Sequence, residues 1–177
     1  MATPVGHALA GCAMALCAWP RLTAPRLAGA VVLSNLPDLD LLAGLAVPGK
    51  GGWHHAGTHS LAFAAAVSVC FLLVGVIQDR RGLGWAWPAL GAALVLAHIG
   101  VDLVTLDVTP PIGLRLFWPF DGSWVSVPFH LFDRVPRSPL GWPLVGIWMR
   151  LALEECAVLA WPLALALAWR RKGVRHG

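Results

Sequence analysis

Five apolar stretches separated by short polar breaks occupy most of this chain: Val5 to Trp19, Leu27 to Val47, Ser60 to Ile77, Leu83 to Leu106 and Trp142 to Trp169. At 1.5 Å of rise per residue, about 20 apolar residues cross the roughly 30 Å hydrocarbon layer of a bilayer, and only helices or closed barrels satisfy their backbone there. The pattern predicts an all-α, polytopic integral membrane bundle of about five segments, some short or broken. Only the third and fourth stretches are clean spans. The first is short, and the second is interrupted by Asn35, Pro37, Asp38 and Asp40, with Pro37 expected to end or unwind the helix. The fifth carries Arg150, Glu154 and Glu155. With five segments in 177 residues, no room is left for a separate soluble catalytic domain, so residues 1–177 are read as a single membrane-embedded domain.

Composition supports this class. Hydrophobic residues make up 58% of the chain and charged ones 12%, against roughly 45–50% and 25% in soluble domains. The net charge of +4 comes from short basic clusters between apolar runs, not from an interleaved basic and aromatic surface, so nucleic acid is not an expected partner. Cys12, Cys17, Cys70 and Cys156 lie in apolar runs without C-x-x-C spacing and read as small buried hydrophobes, not as a disulfide framework or thiolate site. Met1 to Gly6 lacks the basic region of a cleaved signal, and the first stretch is expected to be retained. Basic residues set the orientation. With the N-terminus outside, Arg21, Arg26, Arg80, Arg81, Arg170, Arg171, Lys172 and Arg175 face the cytoplasm, and Lys50, Arg115, Arg134 and Arg137 face outward. The C-terminus is then cytoplasmic. Trp19, Trp85, Trp87 and Trp169 fall at the inner interface; Trp53, Trp118, Trp124 and Trp142 fall at the outer one.

Apolar runs and basic loops alone set this orientation, and the histidines and aspartates fall on one side of it. His7 opens the first segment, Asp38 and Asp40 sit in the broken second, His54 and His59 precede the third, and His98 and Asp102 end the fourth. Ionisable groups at membrane depth cost about 2.5–3.5 kcal/mol each on insertion scales and mark functional sites. His98-x-x-x-Asp102 puts an imidazole and a carboxylate one helical turn apart, where they can share a cation or tie two helices. Asp38 and Asp40 would repel unless neutralised. Three histidines, His54, His55 and His59, precede a helix for which Thr58 is the expected N-cap; they read as ligands, as an interfacial pH sensor or as solvated side chains. Mixed imidazole and carboxylate donors suit zinc first, with manganese or iron as alternatives, and one or two ions. The candidate metal ligands are therefore His7, Asp38, Asp40, His54, His59, His98 and Asp102. A divalent metal with an open position lowers the pKa of bound water towards about 7. Asp40, if not a ligand, is a candidate general base, His55 an alternative base or substrate contact, and Arg115 either a phosphate clamp or a headgroup arginine.

Taken together, Gly6-His7, Leu36-Pro37-Asp38-Leu39-Asp40, His54 with Thr58-His59-Ser60-Leu61, His98-x-x-x-Asp102 and Trp118-Pro119-Phe120 resemble the YdjM-type predicted inner-membrane metal-dependent hydrolases, over about residues 6 to 120. The resemblance implies an inner-membrane, metal-dependent hydrolase and leaves the substrate open. Where that family usually has Gly-His-Arg-Gly, this chain has Trp53-His54-His55-Ala56. The order His7, Asp38, a histidine, then His98 and Asp102 is also similar to the ligand order of zinc-dependent phospholipases C, which implies a metal-bridging role for Asp102.

A site at the mouth of the membrane suits an amphiphilic substrate, a membrane lipid or lipid-linked phosphate cleaved at a phosphoester or related bond. The rivals are a metal or proton transporter using the same cluster and a non-catalytic membrane partner protein. Elsewhere, Arg150 and Glu154 are expected to pair inside the bundle, and Pro128 to Asp133 reads as an apolar loop with a solvated His130.

Overall fold

The computed structural model describes residues 1–19, 21–41, 54, 55, 57–77, 86–108, 110–135 and 142–175. Within them the chain forms five α-helices, α1 (Pro4–Ala18), α2 (Ala24–Ser34), α3 (Leu61–Ile77), α4 (Ala86–Leu103) and α5 (Trp142–Arg175). Short 3-10 turns cover Leu36–Leu39 and Gly57–His59, and no strand occurs among the described residues beyond two isolated bridges, Thr105 with Phe132 and Leu114 with Val125.

Helix boundaries follow local chemistry. The Thr3 hydroxyl caps α1 by accepting the Gly6 N–H at 3.3 Å, and Pro4 at the first turn has no N–H to leave unpaired. Pro37 has the expected effect: α2 stops at Ser34 and the backbone tightens into the turn at Leu36–Leu39. The α3 cap differs from expectation. Ser60 fills that place, its hydroxyl accepting the Phe63 N–H at 3.1 Å, while Thr58 turns to a carboxylate instead.

In the bundle α1 lies against α5, α2 and α4, and α4 lies against α3. Small residues allow close approach: Ala15 and Ala30 meet Leu90 and Leu94, and Ala64 meets Val95 and Ile99. A buried polar latch joins α1 to α5, where Glu155, 1% exposed, accepts the Thr3 backbone N–H at 2.7 Å and the Thr3 hydroxyl. Gly6 is needed beside it, because a Cβ there would stand 2.5 Å from Glu155 Oε2. The expected Arg150–Glu154 pair forms at 3.5 Å but on the exposed face, with Asp133 3.4 Å from the same arginine; the buried carboxylate is the neighbouring Glu155. One helical position decides which of the two glutamates enters the bundle. The cysteines are free, and Cys17 and Cys70 are exposed where burial was expected, because their helix faces turn outward.

Among the described residues one helix, through Val145–Trp169, is long and apolar enough to cross a membrane; Pro4–Ala18, Ala24–Ser34, Leu61–Ile77 and Trp87–Leu103 are apolar but shorter. The exposed surface of α3 is nonetheless aliphatic, presenting Val69, Leu72, Leu73, Val74, Val76 and Ile77. The two ends of the bundle differ in chemistry. Trp19 and Trp87 meet at one end, ring centroids 6.3 Å apart, with Arg26 over the Trp19 ring. His7 at the start of α1 and Asp102 at the end of α4 gather at the other. Lys50, Trp53, Arg80, Arg81, Trp85 and Arg137, on which part of the expected topology rests, lie outside the described residues, as do residues 42–47 of the second stretch.

Candidate metal centre

The break after α2 does more than end a helix. A helix terminus leaves its last carbonyls without intrahelical partners, and the Ser34 carbonyl takes the Nδ1–H of His98 at 2.7 Å. Because a carbonyl can only accept, the His98 proton is fixed on Nδ1 and the Nε2 lone pair is directed inward. Carbonyl-anchored imidazoles of this kind are a common support for metal ligands.

Four donors converge there. His59 Nε2 and His98 Nε2 are 3.1 Å apart, each lies 3.3 Å from Asp102 Oδ2, and each lies 3.7 Å from Asp38 Oδ1. Ligands about 2.0–2.1 Å from a zinc ion stand roughly 3.3 Å apart at tetrahedral angles, so these separations suit one ion. His7 Nε2 completes the cluster, 3.4 Å from Asp102 Oδ1 and 3.7 Å from Asp38 Oδ2. His7, His59 and His98 are fully buried and Asp102 is 4% exposed. Both ring nitrogens of His7, both carboxylate oxygens of Asp38, and Asp102 Oδ2 have no hydrogen-bond partner. Buried acceptors without partners are costly, and bound cations would satisfy them. The donor set therefore fits a divalent metal held by nitrogen and oxygen.

Asp40 lies behind this group. Its Oδ1 is 2.7 Å from His54 Nδ1; its Oδ2 accepts from the Thr58 hydroxyl at 2.8 Å and stands 3.3 Å from His59 Nδ1. It holds the rear nitrogen of His59, which turns Nε2 toward the centre. Burial pushes the Asp40 carboxyl up, but His54 and His59 beside it outweigh that and hold it well below the usual carboxylate range. His59 shows the complementary effect: burial opposes its charge, yet Asp102, Asp38 and Asp40 raise its imidazole well above the ordinary value of 6.5. The pocket demands positive charge.

His54, His55 and His59 bring ring nitrogens within 4.8 Å of one another. His55 has φ of 66°, a left-handed conformation uncommon for a residue with a Cβ. Its Nε2 is 3.8 Å from Asp102 Oδ2, and its Nδ1 is 4.0 Å from Asp107 Oδ2. Burial, then the adjacent His54, lower this imidazole to about 2, which keeps it neutral. A cavity of about 110 Å³ opens onto His55 and Asp102, lined also by Thr105, Asp107, Ser126 and His130. Beside Asp40, a groove of about 720 Å³ runs between Leu36, Leu39, Phe63, Ala66, Trp118 and Pro119.

Arg115 joins the site through its backbone, its N–H donating to the His55 carbonyl at 3.0 Å. Its guanidinium instead lies over the Trp124 ring, 5.9 Å from the centroid. His130 is exposed, as expected. Sequence reasoning missed Asp107, which accepts the Gly113 N–H at 2.9 Å and faces His55, and it left Glu155 without a partner.

Comparison with known proteins gives the family of the chain. The Inner membrane protein YbcI of Escherichia coli (strain K12) is 31% identical over 140 residues, which is 77% of this chain and 78% of that protein. No solved structure matches. The family described as YdjM inner membrane protein matches residues 1–175, and with nearly the whole length accounted for, the chain belongs to that family of inner membrane proteins.

Proposed function

We propose that this chain is a membrane-embedded, metal-dependent hydrolase that cleaves a phosphoester or related bond of a lipid-like substrate. The observation that carries this reading is the convergence of buried, unpartnered donors from His7, Asp38 and Asp102 with the inward lone pair of His98. A divalent metal held there supplies a water acidic enough to be deprotonated near neutral pH. His59, His98, Asp38 and Asp102 hold the ion, and Asp40 and the Ser34 carbonyl fix the two imidazoles from behind. His55, neutral and lining the small cavity, is placed to contact the substrate there.

The surroundings favour an amphiphile. The small cavity has a mixed lining whose polar groups, among them His55, Asp102 and Asp107, suit a headgroup, whereas the larger groove beside Asp40 is apolar and suits a hydrocarbon tail. In this reading several helices cross the membrane, the N-terminus and the centre face the non-cytoplasmic side, and the C-terminus is cytoplasmic, with the Trp19, Trp87 and Arg26 end inside. A route for ions through the bundle is less well supported. Among the described residues of α3 the one polar side chain is Ser68, and its hydroxyl is bound to the Pro88 carbonyl at 3.0 Å.

The test is hydrolysis by the purified, metal-loaded protein in detergent, using phosphomonoester, phosphodiester and phospholipid substrates. Turnover that disappears on chelation and in His98→Ala and Asp38→Ala supports the proposal. Full metal loading without turnover on any of the three, accompanied by ion flux in liposomes, overturns it in favour of transport.

A further inference from the structure

We infer that the centre holds two divalent cations, bridged by the carboxylates of Asp38 and Asp102, with His59 and His98 on one ion and His7 on the other. This rests on the metal-binding half of the function proposed above and is independent of hydrolysis.

The argument comes from ring geometry. An imidazole binds a metal through a lone pair in its own plane. The His7 and His98 rings are stacked, with centroids 3.6 Å apart and planes inclined by 19°. An ion about 2.0–2.1 Å from His98 Nε2 in that ring's plane stands well off the plane of His7. One cation cannot satisfy both. The rings of His59 and His98 are inclined by 60° with their Nε2 atoms 3.1 Å apart, an arrangement that converges on a single ion.

The carboxylates divide in the same way. Asp38 turns Oδ1 to His59 and His98 and Oδ2 to His7. Asp102 turns Oδ2 to the histidine pair and Oδ1 to His7. Oδ1 of Asp102 also accepts the Ala2 N–H at 2.8 Å and retains a second lone pair. His7, fully buried with neither ring nitrogen hydrogen-bonded, is otherwise unexplained. The 3.6 Å ring spacing lies within the roughly 3.5–4 Å separation of two-metal sites. The first ion has four protein donors; the second has three, leaving a position open for water or a phosphoryl oxygen.

The test uses the full chain in detergent, stripped by chelator, reloaded with zinc alone and dialysed before elemental analysis. Two zinc ions per chain are expected in the wild type and one in His7→Ala. The wild type loaded with Mn2+ provides a readout that needs no variant: an exchange-coupled pair in electron paramagnetic resonance at saturation. One ion per chain, isolated Mn2+ at saturation, or two ions retained by a folded His7→Ala each overturn the pair and leave the hydrolase reading standing. No bound ion overturns both. Two bound ions without hydrolysis support the pair and overturn the hydrolase reading.

Discussion

Asp40 and His59 show how residues that need not touch substrate can set the properties of the centre. Asp40 holds His59 from behind, and partners in that position typically contribute 10–100-fold to metal affinity or activity. Asp40→Asn is therefore expected to weaken zinc binding by about that factor while leaving the helical content unchanged, as read by competition with a chromogenic chelator. His59 also links the centre to pH. Its imidazole is raised in the metal-free protein, so a proton must leave before a metal binds, and zinc affinity should climb by up to about tenfold per pH unit between pH 6 and 8. A flat profile would contradict this. In the metal-free protein the raised folded value of His59 gives stability that is complete below the unfolded value of 6.5 and lost as pH rises through the folded one, whereas the lowered value of His55 gives stability that is present above 6.5 and lost as pH falls below it, so the thermal midpoint without metal should be highest near pH 6.5 and fall on either side.

Helix ends, more than helix bodies, build this site. α1 contributes His7 from its first turn, the broken end of α2 supplies both Asp38 and the Ser34 carbonyl, the turn before α3 supplies His59, and the last turns of α4 supply His98 and Asp102. That assembly requires α1 to keep its position, and the Thr3–Glu155 latch holds it there against α5. Glu155→Ala leaves the buried Thr3 N–H unpaired and should cost about 1–3 kcal/mol, read as a lowered thermal midpoint in detergent, with metal content reduced at temperatures where α1 loosens. Arg150→Ala, on the exposed face, should change the midpoint little. Much of this scale was legible in the sequence. Apolar runs located the helices, Pro37 located the break, and the one-sided placement of His7, Asp38, His59, His98 and Asp102 anticipated where the cluster gathers. The rest depended on side-chain direction. Spacing alone could not show that Thr58 would turn to Asp40 and leave the cap to Ser60, that Glu155 instead of Glu154 would face inward, or that the Arg115 fork would rest on Trp124.

For the whole molecule, chemical polarity along the bundle is the organising feature. Histidines and carboxylates collect at one end, Trp19, Trp87 and Arg26 at the other, and aliphatic side chains cover the outer face of α3 between them. The proposed topology places the C-terminus in the cytoplasm, so a fluorescent protein fused there should fluoresce and an alkaline phosphatase fused there should stay inactive; the reverse pattern would invert the scheme. Zinc bound to the native state but not the unfolded chain should also raise the thermal midpoint, and chelation should remove that increment.

The cation at the junction of these helices is the claim on which the others depend, and anomalous diffraction at the zinc edge from crystals of the zinc-loaded protein tests it most directly. The account predicts anomalous density between His59 Nε2, His98 Nε2 and the Asp38 and Asp102 carboxylates. Zinc density elsewhere, with none among those four side chains, would contradict it.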